Sequence, residues 1–224
     1  MRQQEVEAFA RTLQVRPAQI EVCDLLSQVP VESQLARTDM VLLGGSGHYS
    51  VTGQGEWLDR ALDALRLIHA RRMPTFASCW GFQAMARALG GQVVHDLARA
   101  ELGTHRLRLT EAGRHDPVFG RLPIKFRGQM GHEDRVAELP PGAVLLARSD
   151  RVENQAYRFE NLPIYCTQFH PELNRADLLA RVCVYPEYVE RISDLSIDRF
   201  GELCEDTPET ATLLVHFVRH VFGF

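Results

Sequence analysis

Two short apolar runs in this chain each stop at a glycine-bearing turn and pass into a stretch of helical spacing. Asp39-Met-Val-Leu-Leu ends in Gly44-Gly-Ser-Gly47, and Pro74-Thr-Phe ends in Ala77-Ser-Cys-Trp-Gly81 before Phe-Gln-Ala-Met-Ala-Arg-Ala-Leu89. Short apolar runs without alternation are strands covered on both faces, and strands that alternate with helices build a parallel sheet. Between the two runs, Trp57 to Ala70 carries apolar residues at 57, 58, 61, 62, 65 and 68, the stripe of an amphipathic helix. Glu5 to Leu13 has the same periodicity, and I-E-V-C-D-L-L (20–26) reads as a further strand. After Gly90-Gly91 the rhythm changes to period two in T-H-R-L-R-L-T (104–110) and in parts of 124–130, 143–149 and 154–159, which predicts a more antiparallel section. P-I-Y-C-T-Q-F (163–169) is another apolar strand, stopped by His170-Pro171-Glu172, and the tail from about Ala176 to Phe222 reads as helices broken at Pro186 and Pro208. The expectation is an α/β fold with a mostly parallel sheet flanked by helices and a small antiparallel section. With no repeat and no linker rich in Pro, Gly or Ser, a single domain over 1–224 with a helical tail from about 176 is the simplest organisation.

Composition excludes several classes. The chain is 45% hydrophobic with a net charge of -4 and no basic stripe, which argues against nucleic acid as a partner. No apolar run approaches the ~18 residues that span a bilayer. The start, M-R-Q-Q-E-V-E-A-F-A, carries acids and reads as neither a signal nor a transit peptide. The cysteines at 23, 79, 166, 183 and 204 are scattered and form no C-x-x-C pair, so neither a disulfide framework nor a metal site is expected, and a cytoplasmic setting is.

Cys79 stands out because it sits where a strand turns into a helix. Open α/β sheets place their sites at that edge, and the unpaired N–H groups of a helix start favour a thiolate there. A thiolate nucleophile works with a histidine oriented by a third group. His170 ends an apolar strand, which puts it on the same sheet edge, and Glu172 is two residues on. Taken alone, H-P-E is also what a strand end followed by a helix start looks like. The Gly44–Gly47 turn follows a strand as well, so its N–H groups could receive an oxyanion together with the N–H of Trp80. No Lys-Ser/Thr follows it, which weakens a phosphate-loop reading.

In that order, Gly44-Gly-Ser-Gly47, P-T-F-A-S-C-W-G-F-Q (74–83) and Y-C-T-Q-F-H-P-E (165–172) resemble the class I (triad) glutamine amidotransferases. G-H-E-D-R-V (131–136) is similar to a segment of the glutaminase part of GMP synthase, and the order and spacing match over about residues 20 to 175. The resemblance implies a flavodoxin-like fold and a Cys–His–Glu triad that releases ammonia and glutamate from glutamine through a γ-glutamyl thioester, with no cofactor. It implies that Cys79 attacks the amide carbon, that His170 moves the proton and that Glu172 orients His170. The oxyanion would be held at Gly45 and Trp80. Gly45, Gly47 and Gln83 would contact the substrate, with the Gly131-His132-Glu133 turn near its α-amino and carboxylate ends.

The chain departs from the family's pattern in three places. Ala77 and Ser78 stand where the family usually has Gly and an aliphatic residue; Ala77 requires a negative φ, and Ser78 loses apolar packing under the turn. The family's usual first strand is expected to be missing, since the chain begins in what reads as the following helix. No ATP-using domain follows H-P-E, so an ammonia acceptor would be a synthetase or acceptor protein on another chain, or there is none. γ-Glutamyl peptide hydrolysis needs the same triad with a wider pocket near Trp80 and Gly131. A non-catalytic regulatory module of the same fold is the alternative from another class. A redox role for Cys79 lacks a resolving cysteine nearby in sequence. The aromatic tail H-F-V-R-H-V-F-G-F (216–224) is expected to pack back on the sheet rather than face a partner.

Overall fold

The computed structural model describes residues 2–184, 186–193 and 195–223. The strands are β1 (Val41–Leu43), β2 (Thr75–Ser78), β3 (Gln92–His95), β4 (Glu101–Leu109), β5 (Lys125–His132), β6 (Asp134–Glu138), β7 (Ala143–Arg148), β8 (Ala156–Phe159) and β9 (Ile164–Thr167). The helices are α1 (Arg2–Leu13), α2 (Glu32–Leu35), α3 (Glu56–Ala70), α4 (Trp80–Ala88), α5 (Glu111–His115), α6 (Arg175–Val184), α7 (Pro186–Ser193), α8 (Ile197–Leu203), α9 (Pro208–Ala211) and α10 (Leu213–Phe222).

Seven strands form one mixed sheet in the order β1-β2-β9-β8-β7-β4-β5, and β3 pairs with β6 in a small antiparallel sheet. β1, β2 and β9 run parallel, while β8, β7, β4 and β5 join antiparallel. The α/β class and flanking helices are as the sequence implied, and the antiparallel section takes a larger share of the sheet than its short period-two runs suggested. All four residues of β2 and all four of β9 are buried, because both faces are covered. Phe76 and Tyr165 point to one core with Phe217 of α10, whose ring meets theirs edge-on at 5.5 and 5.6 Å. Ala77 and Cys166 point to the other core, with the apolar stripes of α3 and α4. That two-sided burial explains why these strands are continuous apolar runs.

The segment 20–26 corrects the sequence reading: it forms no strand. The amides of Ser27 and Gln28 both donate to Asp24 O, and Leu26 N donates to Asp24 Oδ1, so the aspartate folds the chain into a turn. Val22 and Leu26 are exposed. β1 is the outermost strand, and among the described residues no strand pairs with its far edge. A segment with strand-like composition but no ladder partner falls back on local hydrogen bonds.

In the tail, α7 and α9 both begin at prolines, where the missing N–H costs nothing. Phe217 is fully buried, so α10 does pack back on the sheet, and Phe224 of the aromatic tail lies outside the described residues. A third small cluster, Leu178, Val182, Val189, Phe200 and Cys204, joins α6, α7 and α8 to the flank of β4. Among the described residues no helix is long and apolar enough to cross a membrane.

Candidate active site

The corner between β2 and α4 is held in an uncommon conformation. Cys79 has φ 50° and ψ -102°, a region that costs a non-glycine residue about 1–3 kcal/mol and persists only where the surroundings impose it. Three hydrogen bonds do so. Cys79 N donates to Thr167 O at 2.8 Å, which extends the β2–β9 ladder by one residue. Gln83 N donates to Cys79 O at 3.1 Å and opens α4, and Gly81 N donates to Gly44 O at 3.2 Å. A Cβ at Gly81 would stand 2.5 Å from Leu43 Cβ and 2.9 Å from Leu43 O, so the close approach of α4 to β1 demands glycine. Ala77 is not among the residues of positive φ, which satisfies the condition set by its side chain.

His170 follows β9, and its backbone N–H donates to Gln129 O at 2.9 Å. Its Nδ1 lies 2.6 Å from Glu172 Oε1, with both side chains almost wholly buried. Burial works against a charge on His170, but the Glu172 carboxylate and then the Cys79 sulfur outweigh it and raise the imidazole to about 10. Burial likewise opposes the charge on Glu172, yet His170, with a smaller part from Arg181, holds that carboxyl below its ordinary range. These neighbours favour the protonated ring, in which Nδ1–H donates to Glu172 and the other nitrogen is left for the Cys79 sulfur. Gly45 locks the arrangement: a Cβ there would lie 2.7 Å from His170 Cε1 and 3.6 Å from Cys79 Cβ. The Cys79 Sγ is 3.7 Å from Gly131 O. A sulfur, an imidazole and a bare glycine backbone thus converge at the ends of β1, β2 and β9.

The profile of the class-I glutamine amidotransferase domain matches residues 2–177. The chain belongs to the class I glutamine amidotransferase family. It is 40% identical over 101 residues to the glutamine-hydrolyzing GMP synthase subunit of Methanopyrus kandleri, a match that covers 45% of this chain and 52% of that protein. It is 25% identical over 189 residues to γ-glutamyl peptidase 3 of Arabidopsis thaliana, covering 82% of this chain and 72% of the relative. The chain spans only about half the length of the GMP synthase subunits it matches, 52% in Methanopyrus kandleri and 62% in Thermococcus kodakarensis. The fold is shared with a glutamine amidotransferase of Thermotoga maritima, at a TM-score of 0.76 and 20% identity over 96% of this chain and 90% of that one.

The amidotransferase sequence motifs do not all face the same space. A cavity of about 460 Å³ opens at Cys79 and His170, and Gly45, Gly47, Trp80 and Gly131 line it. Gln83 does not. Its Nε2 donates to Asp134 O at 2.9 Å and to Gln168 Oε1 at 3.1 Å, tying α4 to β6 and to the segment after β9. The His132 ring is also spent inside the protein, between Glu101 Oε2 at 3.2 Å and Asp134 O at 3.0 Å. Both support the cavity wall from behind.

Two polar residues of this amidotransferase site escaped the sequence reading. Ser78 Oγ lies 3.4 Å from both Leu43 O and Glu172 Oε1, so the residue expected only to lose packing has a hydroxyl beside the carboxylate that holds His170. Glu5, on α1, accepts a hydrogen bond from Gly45 N at 3.0 Å and so covers the N–H expected to receive an oxyanion. Burial raises the Glu5 carboxyl, Arg181 opposes that and the charge of Glu172 adds to it. No local pattern marks either residue, because their partners lie 94 and 40 positions away.

Proposed function

We propose that this amidotransferase is a stand-alone glutaminase-type hydrolase that acts through Cys79, His170 and Glu172. The observation that carries the reading is the strained Cys79 corner, packed against the same glycine as an imidazole bonded to a buried carboxylate. In the reaction, the Cys79 sulfur attacks the γ-carbonyl carbon of glutamine while its proton resides on His170. The carbonyl oxygen becomes an oxyanion facing the N–H of Trp80 and, once Glu5 gives it up, the N–H of Gly45. The Trp80 amide is the first of α4 and has no helical acceptor. Collapse of the tetrahedral adduct expels the amine, which takes the proton from His170 and leaves as ammonia. Water, deprotonated by the now neutral His170, attacks the γ-glutamyl thioester, and glutamate departs as the thiol is restored. Glu172 keeps the ring in the tautomer that serves both steps. The ammonia acceptor would be a synthetase on another chain, by analogy with the relatives that are named as subunits.

A second reading is favoured by the size of the cavity. About 460 Å³ is within the range of pockets for whole small molecules, and it continues past Trp80 to Trp57 and Tyr49, where a departing ammonia needs no wall. A γ-glutamyl amide with a larger leaving group would use that space, as the relative named γ-glutamyl peptidase suggests. Both readings are tested by incubating the protein with glutamine, with γ-glutamyl dipeptides and with a glutamine-mimicking chloroketone. Glutamate release with label on Cys79, both lost in Cys79→Ser, is expected. No label on folded protein would refute the reading.

A further inference from the structure

A second cavity, of about 590 Å³, opens where the end of α5 and the loop after it meet one face of α10. It shares no lining residue with the cavity at Cys79. The α5 side contributes Arg114, Asp116 and Arg121, and α10 contributes His216, Arg219 and His220, which recur at the spacing of a single helix face. The lone carboxylate is already spent. Asp116 Oδ1 accepts from the amides of Val118 and Phe119, both at 2.9 Å. Its Oδ2 accepts from Arg158 Nε at 2.8 Å and from the Tyr165 hydroxyl at 3.2 Å. Among the described residues Arg114, Arg121 and Arg219 have no carboxylate partner. Burial, and then the charges of Arg121 and Arg219, hold the His216 imidazole below its ordinary range, so a loop guanidinium and an α10 guanidinium both act on one ring.

Two helix ends account for part of this charge. Arg114 lies in the last turn of α5, and Arg219 and His220 in the last turn of α10, where the free carbonyls favour cations. Arg121 belongs to the turn after α5 and His216 to the first half of α10, where no such field acts. The excess of cations in a concave site calls for an anion. We propose that this cavity binds a small phosphate-bearing polyanion, of the pyrophosphate or sugar-phosphate kind, among Arg114, Arg121 and Arg219. A planar guanidinium matches phosphate oxygens two at a time, and three of them suit more than one charge. Pro117 is the one apolar side chain of the lining, and no Phe, Tyr or Trp faces the space. A nucleobase would have no ring to stack on, and a protein partner no apolar anchor. The volume is that of a small-molecule site.

The test titrates the full chain with pyrophosphate, with inorganic phosphate and with a poly-glutamate peptide in isothermal calorimetry. Pyrophosphate is expected to bind at a single site and more tightly than phosphate. Arg121→Gln and Arg219→Gln should each weaken it about 10- to 100-fold, the range of one charge-assisted hydrogen bond. Both side chains are exposed, so the fold should survive. Arg60→Gln, at an exposed position of α3, should leave the affinity unchanged. No saturable binding of pyrophosphate in the millimolar range, or equal weakening in Arg60→Gln, would overturn the assignment. Binding of the peptide alone would also overturn it, in favour of an acidic protein surface. Cys79 takes no part in these measurements, so their outcome is independent of the hydrolase reading.

Discussion

Alanine in place of Gly45 tests the geometry of the site with a single methyl group. The added carbon would stand 2.7 Å from His170 Cε1, where ordinary contact begins at 3.4 Å, so roughly 0.7 Å must be found. His170 cannot yield easily: its backbone is bonded to Gln129 and its ring to Glu172. If the ring gives way, it leaves the Cys79 sulfur; if the Gly44–Gly47 loop gives way, the Gly45 N–H leaves the oxyanion. Misplacement on this scale costs about 100-fold in rate, or about 2.7 kcal/mol of barrier. The backbone at 45 is not in the left-handed region, so the fold should survive an overpacking cost of about 1–3 kcal/mol. Glutamate release in a coupled assay should therefore drop at least 100-fold in kcat/KM while the melting temperature falls by only several degrees. Gly53→Ala, whose Cβ meets Ser50 O at an ordinary 3.7 Å, is the control. A folded Gly45→Ala protein within threefold of wild type would refute the placement of Gly45 against the reacting pair.

Glu5→Ala should free the Gly45 N–H and raise kcat/KM about five- to tenfold, read together with faster chloroketone labelling of Cys79; a fall in both rates would mean that Glu5 assists the reaction. The stability that His170 draws from its raised pKa is fully present below its unfolded value of about 6.5 and is lost as pH rises toward 10, whereas that of Glu172 is present above its unfolded value of about 4.5 and is lost as pH falls through its depressed one. The gap in melting temperature between wild type and His170→Ala should thus be widest between about pH 4.5 and 6.5 and should shrink toward pH 10, as differential scanning fluorimetry can record. Gly81→Ala should cost more than Gly45→Ala in chemical denaturation, about 2–4 kcal/mol, because its Cβ meets the backbone and Cβ of Leu43 rather than a ring edge; equal midpoints for the two variants would contradict this.

What was legible in the sequence was whatever had a local cause. β2 and β9 are buried on both faces, so they had to be short apolar runs, and α3 has one buried stripe, so it had to show helical spacing. The segment 20–26 misled because apolar composition says that a residue prefers burial, not that a ladder partner exists. The small β3–β6 sheet was missed because Gln92–His95 is half-exposed and shows no alternation. At the site, Cys79 and the Gly81 turn were visible because strain and close approach restrict the residue type at one position. Glu5 and Ser78 were not, since a carboxylate and a hydroxyl each suit most surfaces, and only folding places them against Gly45 and Glu172.

The parallel pairing of β2 with β9 sets Thr75 opposite Ile164 and Ser78 opposite Thr167, which joins chain segments about ninety residues apart. Everything between them, including the antiparallel strands, must be threaded before that register can close, and loop closure of this kind slows folding. The Cys79 sulfur and the His170 ring meet only through this pairing. In a refolding experiment, recovery of secondary structure should therefore run ahead of recovery of a reactive Cys79. A nascent or partly unfolded chain would carry its cysteine without the histidine on which the proposed chemistry depends.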